Sequence, residues 1–160
     1  MKVVKKQNNS HDCLICGVDN PAGVNAQFYQ TENQEVVALF KFKQTHQSYP
    51  GRTHGGMISA LLDELVGRAI WIYDENQWGV TMTLEVKFRK PVPLDTNIKG
   101  VGRIISQTSR TFTGTGEILD IKGNVLAEAK AVYMKLPVSK IAQGHEGEVD
   151  VYIEDNITEV

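Results

Sequence analysis

The chain has 160 residues, 41% of them hydrophobic and 22% charged, with a formal net charge of −2 from 17 basic and 19 acidic side chains. That length suits one domain, and the composition is that of an ordinary soluble protein. The near-neutral balance excludes a strong field that would recruit nucleic acid or an anionic membrane, and no apolar run approaches a membrane span.

The opening MKVVKKQNNSHD is charged and then polar, without the apolar run of a secretory signal, so a cytoplasmic location is expected. Residues 1–12 read as a flexible leader. Two cysteines, Cys13 and Cys16, are too few for a disulfide framework. Their C-x-x-C spacing raises zinc or redox chemistry. A structural zinc needs four ligands, and no second C-x-x-C exists; His11 and a dimer mate would have to complete the set. A thioredoxin-like pair wants a following helix, whereas Asn20-Pro21-Ala22-Gly23 is turn chemistry. The expectation is two reduced cysteines lining a tight loop, with no metal and no cofactor.

Residues 24–30 and 35–43 read as a strand pair turning at Glu32-Asn33-Gln34. A loop through Pro50-Gly51 delivers the chain to PGRTHGGMISALLDELVGR, residues 50–68. Here apolar pairs recur, Met57/Ile58, Leu61/Leu62, Leu65/Val66 and Ala69/Ile70. Their spacing predicts a long helix with one broad apolar stripe, ending around residues 71–74. Ser59, Asp63 and Gly67 share a second, small-residue face carrying one acid. Four strand-like segments follow, over residues 79–89, 97–106, 110–121 and 125–136. In the first, Met82, Leu84, Val86 and Phe88 alternate with polar residues, and Pro91 and Pro93 end it. Lys122-Gly123-Asn124 is a hairpin turn. Residues 138–160 carry six acids and one lysine. They read as a solvated acidic tail, with a short added strand over VDVYI as the alternative. Two strands, one helix and four strands form an α+β pattern in which an antiparallel sheet of about six strands curls round the helix, over residues 13–137.

The helix start carries the chemistry. Gly55 and Gly56 let a ligand approach the backbone closely, and the first N–H groups of a helix have no partners inside it. They form an anion site suited to an oxyanion developing on a carbonyl. Asp63 lies two turns further along. The bland reading is a core helix with a glycine-rich start and one solvated acid.

His-Gly-Gly followed by a helix with Asp nine positions after the His resembles the signature of hotdog-fold acyl-CoA thioesterases, most closely the phenylacetyl-CoA-type branch. Residues 13–23, CLICGVDNPAG, are similar to a Cys-x-x-Cys-Gly…Asn-Pro-x-Gly opening in one set of these proteins, and residues 79–95 resemble the strand after the hotdog helix. The resemblance implies hydrolysis of an acyl-CoA to free acid and CoA, in a dimer or dimer of dimers with sites at the subunit interface. It implies that the Gly56 amide, with Gly55, polarises the carbonyl while Asp63 from the other subunit acts as base on water or attacks directly. A thioester needs little more, because its carbonyl is poorly stabilised and thiolate leaves readily. His54 is expected as a loop anchor at the substrate site. Where the family places Asn or Gln six or seven positions before the His, this chain has Ser48 and Gln47, and Gln47 is the candidate. Thr81 matches a Ser/Thr position that holds the nucleophilic water. Ser59 lies on the small face beside the substrate, and Arg89, Lys90 and Arg110, with Arg103, are candidates for a basic rim facing the CoA phosphates. Trp71, Tyr73 and Trp78 would line an acyl pocket or serve as core. Glu64, with Arg68 four residues on, reads as a structural helix pair. The alternatives are a non-catalytic acyl-CoA-binding or sensing module and a hydratase; the latter wants an Asp/His pair on the helix, which is missing because His54 precedes it.

Overall fold

One long helix, α1 (Gly55–Gly67), lies across a seven-stranded antiparallel sheet in a computed structural model that describes residues 1–160. The strands are β1 (Val3–Lys6), β2 (Gln27–Thr31), β3 (Val36–Phe40), β4 (Gln77–Phe88), β5 (Ile98–Gln107), β6 (Thr111–Leu119) and β7 (Val125–Pro137). Their order across the sheet is β1-β2-β3-β5-β6-β7-β4. This is the hotdog arrangement. A short helix, α2 (Val138–Ala142), follows β7.

The apolar pairs read from the sequence are the reason the helix packs here. Leu61, Leu62 and Leu65 are fully buried against Val36, Ala38, Ile118 and Ala127 of the sheet, and Val66 and Ile70 against Phe112, Ala131 and Tyr133. Each leucine so buried contributes about 2 kcal/mol. The approach is close because the facing strands carry glycine. A Cβ at Gly100 would stand 2.7 Å from Leu65, and one at Gly114 would stand 2.5 Å from Val66. Those glycines make room for the helix, a role beyond the strand curvature expected of Gly100 and Gly102. After Gly67 the helix tightens into a 3₁₀ turn over Arg68–Ile72, so the helical segment ends where the apolar pattern stops.

The two chain ends depart from expectation. Residues 1–12 are no flexible leader: β1 pairs with β2, and Gln7, Asn9 and Ser10 are buried. Nor is the acidic segment a free tail. It runs back along the N-terminal segment, with Asn9 and Val151 exchanging backbone hydrogen bonds of 2.7 and 3.1 Å and Val3 N–H donating to the Thr158 carbonyl at 2.8 Å. Three tail acids bind that segment directly. Glu148 accepts from Asp12 N–H, Asp150 from the Asn8 amide, and Asp155 from the Lys6 ammonium at 2.6 Å and the Tyr29 hydroxyl at 2.7 Å. The acids that composition reads as solvated are therefore partners for the N-terminal segment, with its lysines and asparagines. The C-terminal residues cover the β1 edge, whereas the outer edge of β4 is open along all twelve residues. No helix is long and apolar enough to cross a membrane.

β4 also breaks the expected alternation. Its register against β7 shifts between Thr81 and Thr83. The bulge moves Met82 outward, 54% exposed, and turns Thr81 to the helix face together with Leu84 and Val86.

Candidate active site

The helix start forms one half of a site. His54 is the N-cap, in extended conformation at φ −62°, ψ 134°. Its carbonyl accepts from the Met57 and Ile58 N–H groups, and its ring Nδ1 accepts from Gly56 N–H at 2.8 Å. The ring fits there because residue 56 has no side chain: a Cβ would stand 3.0 Å from Nδ1. His54 thus shapes the turn, as expected of an anchor. The N–H left free at this helix end is therefore not the one expected. The Gly56 amide is occupied by imidazole, while the Gly55 N–H has no acceptor within the chain. Ser59 lies one turn on and donates its hydroxyl to the Gly55 carbonyl at 2.9 Å, so it serves the helix. Gln47 is held beside this end by a backbone bridge to Thr53, and its Oε1 accepts from Gly51 N–H at 2.9 Å. Ser48 is exposed in the same loop. The Phe88 ring, from the far end of β4, packs over Gly55.

Asp63 forms the other half, about 10 Å along the axis from Gly56. Thr81 donates its hydroxyl to Asp63 Oδ1 at 2.8 Å. The Tyr133 hydroxyl lies 3.0 Å from the same oxygen and 2.8 Å from the Asp63 carbonyl. Both side-chain donors converge on Oδ1, which fixes the carboxylate and leaves Oδ2 without a protein partner. Tyr133 is held as a donor: burial first, then the Asp63 charge, push its phenol well above the usual range. The triangle opens on a cavity of about 250 Å³ lined by Asp63, Thr81, Tyr133, Trp71, Trp78 and Cys13 among others. Trp71 and Trp78 stack with centroids 6.3 Å apart, and Tyr73 lies outside, exposed.

Within one chain the residues expected of a basic rim lie in two separate groups. Arg89 pairs with Glu128 on the surface at the C-terminal end of β4. Lys90 follows it, exposed. Arg110 sits by the other end of β4, where its carbonyl accepts from Lys135 N–H and Lys135 faces Gly79. Ten residues of strand, roughly 30 Å, separate the two groups. Arg103 is committed to Glu35 and Glu117.

The cysteine loop reaches this cavity from the other side. Cys13 is half-buried, Cys16 buried, and both are free thiols. The Cys16 thiol donates to Ser10 Oγ at 3.5 Å; its closeness to Cys13 lowers the Cys13 thiol and raises that of Cys16, and burial adds to the rise at Cys16. The fully buried Arg68 guanidinium lies between the Phe28 and Trp71 rings and bonds Glu64 at 2.7 Å, so the helix pair expected of Glu64 and Arg68 is present.

A family model described as the thioesterase superfamily matches residues 50–127, from the loop before α1 to the start of β7. Over those residues, just under half of its length, the chain is similar to the thioesterase superfamily. Mouse acyl-coenzyme A thioesterase THEM4 is 29% identical over 118 residues, which span 72% of this chain and 49% of the mouse protein, about half its length. Among solved structures, a thioesterase superfamily protein superposes with a TM-score of 0.71 at 23% identity, over 77% of this chain and 63% of its own. A hypothetical thioesterase from Streptococcus pneumoniae, solved with coenzyme A, gives 0.64 at 21% identity, over 71% of this chain and 87% of its own.

At this site, sequence reasoning missed Tyr133. The signal was there in the small residues before it. Ala127, Ala129 and Ala131 share one buried face of β7, and Tyr133 is the first large residue on that face. A polar aromatic following three alanines under a helix is a side chain with something to reach.

Proposed function

We propose that the protein hydrolyses an acyl-CoA thioester, with Asp63 as base or nucleophile and the α1 N-terminus as oxyanion site. The observation that carries this reading is the Asp63 carboxylate, with Oδ1 anchored by Thr81 and Tyr133 and Oδ2 open at a cavity wall. The thioester carbonyl accepts from the Gly55 N–H, where partial positive charge at the helix end stabilises the developing oxyanion. Gly56 adds its N–H if the His54 ring swings away. Oδ2 then takes a proton from water as the water oxygen bonds the carbonyl carbon, or Oδ2 itself forms that bond. In either route the C–S bond breaks, CoA thiolate leaves, and a proton restores the thiol; in the second route the acyl–Asp63 anhydride so formed is then cleaved by water, which releases the acid and regenerates the carboxylate. Thr81 and Tyr133 hold the carboxylate's direction.

The two halves of the site are too far apart on one helix to share a carbonyl. A second copy resolves this. β4 is long, unpaired on its outer edge and carries exposed Val80 and Phe88, features of a strand that adds to another sheet. Antiparallel pairing of two such edges sets the Asp63–Thr81 end of one chain against the Gly55–Phe88 end of the other. The unit proposed is therefore a homodimer, acting on a CoA ester as the relatives' names suggest.

Thiol release from a panel of short aliphatic, long aliphatic and aryl acyl-CoAs tests the reading, with the intact protein compared with Asp63→Asn. Release that falls by about a hundredfold or more in a folded variant supports it, and the panel names the acyl class. Binding without turnover by either protein replaces it with a non-catalytic acyl-CoA-binding role.

A further inference from the structure

The cysteine loop and the helix are built as one cluster. Cys13 Sγ, Cys16 Sγ and a carboxylate oxygen of Glu64 all lie within 4.8 Å of one another. Glu64 is the residue after Asp63 and projects from α1, so the third member of the cluster comes from a distant part of the chain. We propose that Cys13, Cys16 and Glu64 bind one divalent cation with affinity for sulfur, zinc being the chemical type. The proposal does not depend on the thioesterase reading.

Three features of the loop point to a metal. First, it is a preformed knuckle. The N–H groups of Ile15 and Cys16 point at Cys13 Sγ, at 3.3 and 3.4 Å, which stabilises a thiolate there. The return of the chain is fixed by Gly17 N–H donating to the Cys13 carbonyl at 2.8 Å. Only glycine fits at that point, since a Cβ would stand 2.2 Å from the same carbonyl oxygen. Asn9, buried beneath, donates to the Cys16 carbonyl at 2.7 Å and to the Ala26 carbonyl at 3.1 Å. The sulfurs are therefore placed before any ligand arrives.

Second, the third ligand is oriented from outside. Arg68 Nε donates to Glu64 Oε1 at 2.7 Å, and Oε2 has no partner in the chain. An outer group that holds a ligating carboxylate by one oxygen and leaves the other to the ion is the arrangement metal sites use. His11, which a zinc site read from the sequence alone would have needed, is turned away to Asp19 at 2.5 Å.

Third, the charges close. Glu64 and Arg68 neutralise each other, and Cys13 and Cys16 each give up a proton on ligating, so two positive charges must replace the two protons. One divalent ion supplies them. Soft thiolates select zinc over magnesium or calcium. Three protein ligands leave a fourth tetrahedral position on the cavity side, where Cys13 and Glu64 both line the wall, and water completes it. The ion would clip the N-terminal segment to α1 one residue from Asp63.

Cobalt(II) titration of the untagged, reduced, chelator-treated full chain tests the site. The expected result is a thiolate-to-cobalt charge-transfer band that saturates at one ion per chain and is bleached by zinc. Cys13→Ser should abolish the band. Glu64→Gln should weaken zinc binding by more than about tenfold in competition with a chromophoric chelator. Zinc should also raise the unfolding temperature of the intact chain and not that of Cys13→Ser. No saturable band, or binding unchanged in both variants, overturns the proposal. A chain isolated two hydrogens lighter, which takes up no metal once reduced, overturns it in favour of a Cys13–Cys16 disulfide.

Discussion

Gly67 and Tyr133 meet where α1 crosses β7: a Cβ at residue 67 would stand 3.3 Å from the Tyr133 ring. That ring has little freedom to move. It stacks on Phe112 with centroids 4.8 Å apart, and its hydroxyl is held at Asp63. Gly67→Ala therefore has two opposed effects. Alanine favours the helix by up to about 1 kcal/mol, and the added methyl pushes the tyrosine by a few tenths of an ångström. The expected outcome is near-unchanged stability with a lower thiol-release rate, read by parallel denaturation and kinetic measurements. Tyr133→Phe separates the two effects. It keeps the ring, loses one anchor on Oδ1, and is expected to lower kcat by about tenfold, or ~1.4 kcal/mol in the barrier.

The proposed oxyanion donor can be removed without disturbing the helix. Proline is tolerated at the first helical position, and the residue before it is best placed in extended conformation. His54, at φ −62° and ψ 134°, already has that conformation. Gly55→Pro deletes the N–H and leaves the turn intact. Loss of one such donor is expected to reduce kcat by about a hundredfold or more, with the unfolding midpoint little changed. An unaltered kcat in Gly55→Pro would assign the role to Gly56 after displacement of His54.

The sequence was most legible where one local pattern decided the outcome. The paired apolar residues from Met57 to Ile70 define a helix that must be wrapped, and alternation in β6 and β7 supplies the wrapping. His54 could be read as an anchor because a ring before two glycines has an amide to cap. Thr81 was harder. A bulge at Met82 changes its face, and a period-two reading cannot see a bulge. The chain ends were misread for a different reason. Lysines and asparagines at one end and acids at the other each look solvated alone, and their pairing over about 150 residues is a tertiary fact, as at Lys6 and Asp155. Arg89 and Arg110, expected in one basic rim, lie at opposite ends of β4 within a chain, a placement set by strand register that local sequence does not carry.

Lys6 and Asp155 make the tail's attachment sensitive to acid. Burial works against ionisation of Asp155, but bonds from Lys6 and Tyr29 outweigh it and hold the carboxyl below its ordinary value. A carboxyl depressed in the folded state contributes stability above its unfolded-state value, near 3.9, and loses it as pH falls through the folded value. Tail contacts are therefore expected to be intact at neutral pH and to weaken below about pH 4. Asp155→Asn leaves the Lys6 ammonium, with 5% of its side chain exposed, without its carboxylate. A loss of about 2 kcal/mol is expected, with faster hydrogen exchange at Val3, Asn9 and Val151 and a flatter acid limb in the stability profile.

If Asp63 and the α1 N-terminus act across two chains, two inactive proteins should make an active one. Asp63→Asn destroys the acid half of the site, and Gly55→Pro the oxyanion half. Homodimers of either have two defective sites. A mixed dimer has one site with both defects and one with neither, because each site draws its halves from different chains. Random re-pairing gives mixed dimers as half of the population, each with one of two sites intact. About one-quarter of the wild-type rate is then expected after the variants are unfolded and refolded together, and almost none when they are refolded apart and mixed cold. Sedimentation of each sample reports whether dimers formed. Recovery of activity fixes the cross-subunit geometry. Mixed dimers without recovered activity would place both halves on one chain, and α1 would then have to bend or the carbonyl be polarised by a donor nearer Asp63.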